Sequence, residues 1–308
     1  MFDIHAHLHD GAFDDDRDAV VARALDAGVE QIITIGTDIV ESRKAVDCAL
    51  KYEGVYASAG IHPHEMNHLV KIPNTKYQIS NQSQNDQINE WIRMLRELAR
   101  HKKVVAIGEC GLDYFVHGGQ GGIETTVVPP AGGASAVSEK QKIDQKELFI
   151  AQIDLAQELQ LPLIIHCRPS KGSADAYEDM FGILSDSTFY IQHSTFILHC
   201  YMGDTEVTEK FLTLPNVYFS FTGNITYPTK KVLVGTRNDL TEVVKMIPIE
   251  RILAETDCPY LAPVPHRGKR NEPAYVVSVV EKIAEIKGVS REVVEQTVAM
   301  SAKRIFGL

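Results

Sequence analysis

The chain has 308 residues, 44% of them hydrophobic and 23% charged, and its 31 basic against 41 acidic residues leave a formal charge of −10. Such a composition fits a globular protein and excludes a disordered tail, a collagen-like repeat and a coiled coil. Its acidic balance also speaks against a protein that coats nucleic acid, which needs a basic footprint, while leaving room for an enzyme that draws an anion to a local cationic site.

In chain order, Phe2–His7 reads as the first strand, followed by Gln31–Gly36 and Val55–Ile61. A polar stretch, 67–86, precedes a helix whose stripe Ile88, Trp91, Ile92, Leu95, Leu98, Ala99 keeps one apolar face. Val104–Glu109 is the fourth strand, and a Gly-, Ala-, Val- and Pro-rich stretch, 115–138, follows it. The spacing of Leu148, Ala151, Leu155 and Leu159 predicts the next helix. Strands are then expected at Leu163–Cys167, Thr195–Cys200, Val217–Phe221 and Ile252–Asp257, with Pro215 and Pro248 in the turns before the last two.

Eight βα units over this length predict a single-domain (β/α)8 TIM barrel over residues 1–308 rather than an open doubly wound sheet. Neither G-x-G-x-x-G nor a P-loop motif is present, so a nucleotide-binding sheet is not favoured. In a barrel the stretches 67–86 and 115–138 become loops over the C-terminal mouth. We read them as surface insertions, with a lid that gates substrate length as the sharper alternative.

No apolar run reaches the ~18 residues of a membrane span, and Met1-Phe2-Asp3-Ile4-His5 has neither the basic nor the apolar part of a secretory leader. The five cysteines are scattered and lack a C-x-x-C pair, so a reducing cytoplasm is the expected setting.

The chemistry lies at the strand ends. His5 and His7 sit two apart at the end of strand one and project from the same face. Glu109 ends strand four, His166 strand five, His199 strand six and Asp257 strand eight. Parallel strands bring these ends to one mouth, and four imidazoles with two carboxylates make a nest for divalent cations. Alone, each has a bland alternative: a solvated strand end for His5 and His7, a core histidine for His166 or His199, a turn cap for Asp257. Two cations side by side can activate water, polarise a phosphoryl oxygen and stabilise a leaving alkoxide. Cys110, Cys167, Cys200 and Cys258 each follow one of these residues and, by alternation, are expected to turn away and pack.

Several blocks carry a family likeness: Phe2-Asp3-Ile4-His5-Ala6-His7, Gly60-Ile61-His62-Pro63-His64, Gly108-Glu109-Cys110-Gly111-Leu112-Asp113-Tyr114, Pro162-Leu163-Ile164-Ile165-His166-Cys167-Arg168, His199-Cys200-Tyr201-Met202-Gly203-Asp204, Glu255-Thr256-Asp257-Cys258-Pro259-Tyr260-Leu261 and Arg267-Gly268-Lys269-Arg270-Asn271-Glu272-Pro273. In this order they resemble the signature blocks of the TatD family of metal-dependent deoxyribonucleases, amidohydrolase-type TIM barrels. The resemblance implies that His5, His7 and Asp257 hold one metal, that Glu109 bridges two, and that His166 and His199 hold the second. It further implies that Asp257 orients or deprotonates the attacking water, and that His62, Arg168 and Arg267 contact substrate phosphate. His193 competes with His199 for the second metal, and Met202 departs from the smaller polar residue usual in that block. Glu109, where a carboxylated lysine would otherwise stand, disfavours the phosphotriesterase and dihydroorotase branches.

The reading is a hydrolase with two divalent ions, Mg, Mn or Zn, that cleaves DNA phosphodiesters as a 3′–5′ exodeoxyribonuclease on single strands or 3′ ends. No membrane and no obligate protein partner are expected. An absence of evident stacking aromatics at the mouth fits end-trimming. The alternatives are a metal-dependent ester or amide hydrolase such as an aminoacyl-tRNA deacylase, and a metal-binding scaffold without catalysis.

Overall fold

A computed structural model describes residues 1–68, 84–116, 137–186, 194–228 and 240–308. All eight expected strands form: β1 (Phe2–Ala6), β2 (Gln31–Thr34), β3 (Val55–Ala59), β4 (Val104–Asp113), β5 (Leu163–Arg168), β6 (Phe196–Leu198), β7 (Val217–Phe221) and β8 (Ile252–Ala254). They pair in parallel in sequence order. The seam between β8 and β1 is bridged by backbone bonds from Asp257 N to His5 O and from His7 N to Cys258 O, both 2.8 Å. The result is a nearly closed (β/α)8 barrel, as the alternation of strand and helix patterns predicts.

Among the described residues the helices are α1 (Arg17–Asp26), α2 (Ile39–Lys51), α3 (Gln84–Ala99), α4 (Glu139–Leu159), α5 (Asp175–Asp186), α6 (Thr205–Leu212), α7 (Leu240–Met246), α8 (Val276–Lys287) and α9 (Arg291–Phe306). The Ile88–Ala99 stripe lies on α3, and Leu148 to Leu159 on α4. Local chemistry fixes their ends. Asp38 accepts from Glu41 N ahead of α2. Ser138 and Gln141 form a reciprocal capping box ahead of α4. None of the described helices is long and apolar enough to cross a membrane.

Strand β4 is the longest and does not stop at Glu109, as the sequence suggests, but runs on to Asp113. Glycines make this possible. Gly108 and Gly111 adopt φ of +146° and +136°, which side chains rarely tolerate. A Cβ on Gly108 would meet Ile164 O at 2.5 Å, and one on Gly111 would collide with His166 O. β4 therefore presses against β5 as only glycine allows, and two carboxylates at its end reach under His166.

The core lies between barrel and helices, with Phe2, Phe13, Phe149, Phe196, Phe211, Phe219 and Phe221 fully buried. Both expected insertions fall mainly on residues outside the described set, and so does His193.

Candidate metal centre at the barrel mouth

The strand ends deliver the predicted histidines and carboxylates to one place. His5 lies within β1 at 0% exposure. Its ring stacks on that of His199 at 3.8 Å between centroids, and its Nε2 is 3.5 Å from both Glu109 Oε2 and Asp257 Oδ1. Neither ring nitrogen of His5 has a hydrogen-bond partner. Buried polar atoms are rarely left unpartnered, so an orphaned Nε2 beside two carboxylates fits an ion that takes its lone pair. His7 Nε2 reaches the same Asp257 oxygen at 3.4 Å. Together His5, His7 and Asp257 form a set whose ligand atoms could close on one ion.

Glu109 stands at the centre. While Oε2 faces His5, Oε1 faces His166 Nδ1 at 2.9 Å, His199 Nε2 at 3.2 Å and His62 Nε2 at 3.7 Å. One carboxylate thus addresses both sides of the mouth. Its His5, Glu109 and His199 form a second set able to hold an ion. Of the residues expected to hold metal, His5, His7, Glu109, His166, His199 and Asp257 all meet here.

The other nitrogens of His166 and His199 are committed to carboxylates. His166 Nε2 lies 3.0 Å from Asp113 Oδ2. His199 Nδ1 lies 3.0 Å from Glu255 Oε1, which also accepts from Cys200 N at 2.6 Å, while Glu255 Oε2 accepts from Ser220 Oγ at 2.5 Å. Such pairing fixes the tautomer, leaving Nδ1 of His166 and Nε2 of His199 to face Glu109. Sequence reasoning gave neither Asp113 nor Glu255 a role. Glu255 could have been found, because it alternates with Asp257. Asp113 could not, because nothing in the residue pattern shows β4 continuing past Glu109.

Helix α4 steadies the opposite wall with two fully buried glutamines seven residues apart. Gln152 accepts from Ile61 N at 2.8 Å and donates to Ile61 O at 3.0 Å, and Gln145 does the same for Asp113 at 2.8 and 2.9 Å. These clamps hold the backbone beside His62 and at Asp113. His62, Asp113 and His166 make a third group with ligand atoms close together.

The electrostatics divide the histidines. Burial, then the nearby His199, holds His5 well below its ordinary pKa, and burial with His166 brings His62 down to about 3. Burial also pulls on His166, but Asp113 and Glu109 more than offset it and raise the group to about 9. In His199 burial is likewise outweighed, by Glu255 and Glu109, and the pKa rises. Burial pushes Glu109 up, yet His199 and His166 draw it well below the carboxylate range.

The remaining expectations sort as follows. Arg168 ends β5 with its guanidinium 4.0 Å from the Phe115 ring, and Arg267 lies 4.1 Å over Tyr227. Both stand around the mouth rather than inside the ligand set. His9 is used elsewhere, between Thr34 Oγ1 at 2.8 Å and Glu41 Oε2 at 3.2 Å. Cys110, Cys167, Cys200 and Cys258 are free thiols, and burial raises each of them, which disfavours thiolate ligation. One exposed aromatic stands at the mouth: Tyr260, 44% exposed, has its ring 6.1 Å from that of His7.

Comparison with known proteins agrees with this centre. A family model described as TatD related DNase matches residues 2–307. The Bacillus subtilis protein YabD, named an uncharacterized metal-dependent hydrolase, is 36% identical over 306 residues, covering 99% of this chain and 98% of its own. The Cronobacter sakazakii 3′-5′ ssDNA/RNA exonuclease TatD is 32% identical over 311 residues, covering 99% and 97%. In fold, the crystal structure of YjjV, a TatD homolog from Escherichia coli, superposes with a TM-score of 0.76 at 22% identity, covering 100% of this chain and 98% of the other. With the strand-end ligand set, the barrel and the full-length match in agreement, this chain belongs to the TatD-related DNase family.

Proposed function

We propose that this protein is a metal-dependent phosphodiesterase, a 3′–5′ exonuclease acting on single-stranded DNA or DNA 3′ ends, formed as one hydrolase domain over residues 1–308 and working in the cytoplasm. The observation that carries the reading is His5, buried with both nitrogens unpartnered between Glu109 and Asp257. The full-length likeness to an exonuclease at 32% identity supports the substrate class.

The residues fit two divalent ions. His5, His7 and Asp257 would hold one, His166 and His199 the second, and Glu109 would be shared through its two oxygens. An imidazole-rich set favours Mn or Zn over Mg, which prefers oxygen ligands. Bound dications supply Lewis-acid activation of water and neutralise charge on the phosphoryl group. Asp257 lies at the mouth with Oδ1 toward His5 and His7, and takes up the proton of the attacking water. His62, neutral and donating from Nε2, contacts a phosphoryl oxygen, and Arg168 and Arg267 hold the flanking backbone phosphates. The dications also offset the net charge of −10 where the anionic strand enters.

The deciding experiment is a gel assay on 5′-labelled and 3′-labelled single-stranded DNA with Mg²⁺, Mn²⁺, Zn²⁺ or EDTA, beside Glu109→Ala. Metal-dependent shortening from the 3′ end that vanishes in the variant is expected. No cleavage by metal-loaded protein would refute the nuclease reading.

A further inference from the structure

The Asp113 carboxylate is 1% exposed, and nothing in the proposed hydrolysis uses it. Its surroundings are fully built. Oδ1 accepts from Phe115 N at 2.9 Å. Oδ2 faces two imidazoles at once, His166 Nε2 at 3.0 Å and His64 Nε2 at 2.9 Å. Its backbone is clamped at N and O by Gln145 of α4. On the far side of His64, the His64 backbone N–H donates to His62 Nδ1 at 3.2 Å, and the two rings meet edge to face at 4.6 Å.

One oxygen therefore ties together two functions that arise on different strands. Through His166 it sets the tautomer and tilt of an imidazole whose Nδ1 faces Glu109. Through His64 it sets the loop after β3, which carries His62. We propose that Asp113 is a positioning residue that couples the ion-facing histidine of β5 to the substrate-facing histidine after β3. Two imidazoles held by one oxygen cannot shift independently. A change at the ion face of His166 is then felt at His62, and the reverse.

Hydrogen-bond chemistry explains the choice of residue. Both imidazoles present N–H groups to Oδ2, so it must accept twice. A carboxylate does this while its other oxygen accepts from Phe115 N, whereas Asn with its oxygen toward the two imidazoles would turn its NH2 donor against that N–H. Glycine at 111 and the Gln145 clamp place this carboxylate beneath His166 and hold it there.

The inference rests on assigning His166 to the second ion, and the test separates the two. Wild type, Asp113→Asn and His64→Gln are loaded with Mn²⁺, and their ion stoichiometry and affinity are measured by competition with a chelator. KM and kcat are measured on single-stranded DNA, with melting curves of metal-free protein to establish folding. Asp113→Asn is expected to bind ion about 10–100-fold more weakly and to raise KM as well. His64→Gln is expected to raise KM and to weaken ion binding less than Asp113→Asn does, since His166 keeps its carboxylate, and the double variant to show a KM no higher than that of Asp113→Asn. An Asp113→Asn protein with wild-type ion affinity and KM, or one whose only change is a lower melting temperature, overturns the coupling. So does a third ion equivalent in wild type that Asp113→Asn loses, since Asp113 would then be a ligand with His62 and His166. If Asp113→Asn does not fold, Gln145→Leu, which loosens the same carboxylate from behind, must produce the joint loss. Wild type that binds no ion or leaves DNA intact refutes the proposed function instead.

Discussion

The two halves of the mouth hold their histidines by different means. On the β4–β6 side, His166 and His199 each have a carboxylate behind them, Asp113 and Glu255, and each is drawn toward the protonated form. On the β1–β8 side, His5 has no such partner on either nitrogen and burial keeps it neutral. One half is oriented by hydrogen bonds and must surrender protons to take an ion. In the other, packing orients His5, which lies flat on His199 and is already in the binding form, while for His7 burial is outweighed by Asp257, which raises it. Glu109 is the only described residue with an oxygen toward each half.

The most severe way to break this comparison is to remove the shared group. Glu109→Ala is expected to lower nuclease turnover by roughly 10³-fold or more, the scale of losing a principal electrostatic element, and ion binding on both sides should weaken together. Loss confined to one ion would show that the halves are independent.

Glu255→Gln sharpens the contrast next. The His199 partner changes while His5, His7 and Asp257 keep their own polar contacts, so ion binding at His199 should weaken by about 10–100-fold and binding at His7 and Asp257 much less. Titration with a chelator resolves the two steps.

The pH dependence follows from the same difference. Below about 9 the metal-free His166 carries a proton that an incoming ion must displace. Ion affinity on that side is therefore expected to rise toward that value by at least about tenfold per pH unit, and by up to about a hundredfold where His199, also raised, gives up a second proton, with protons released on binding. His5 is already deprotonated in this range and adds nothing to the slope. Calorimetry in buffers of different ionisation enthalpy counts the released protons, and an affinity flat between pH 6 and 8 would sink the assignment.

The smallest effect is on stability. Ion at 100 times its dissociation constant adds about 2.7 kcal/mol to the folded state, and chelation should lower the melting temperature by several degrees. If the packed β1–β8 half needs no ion to hold its shape, near-ultraviolet dichroism should remain folded in EDTA.

This contrast also marks what could be read from residues alone. Eight strands and their order were legible because each is a short apolar run, five of them ending in a chemically distinctive residue, such as His166 after Leu163-Ile164-Ile165. The meeting of the six expected ligands was legible too, since parallel strands must bring their ends together. What supports those ligands was not. Asp113 matters because Gly108 and Gly111 let β4 run close under β5, and Gln145 and Gln152 because α4 happens to lay them against two backbone turns. Such partners are chosen by cross-strand distance, which neither spacing nor alternation encodes. His64, near the mouth, reads as a supporting or solvated histidine rather than a ligand, and it shares a carboxylate oxygen with His166, a partner that alternation does not reveal.

Because His5 and Asp257 meet across the seam between β1 and β8, a nascent chain carries most of the ligand set long before it can assemble it. Synthesis delivers His5 and His7 first, then Glu109, His166 and His199, and Asp257 only when the last strand emerges. Until β8 closes against β1, an ion at His5 and His7 would lack the Asp257 carboxylate, and His7 its partner. Hydrolytic competence is thereby tied to completion of the barrel. A ribosome-held fragment ending before residue 250 should take up metal poorly and leave single-stranded DNA intact.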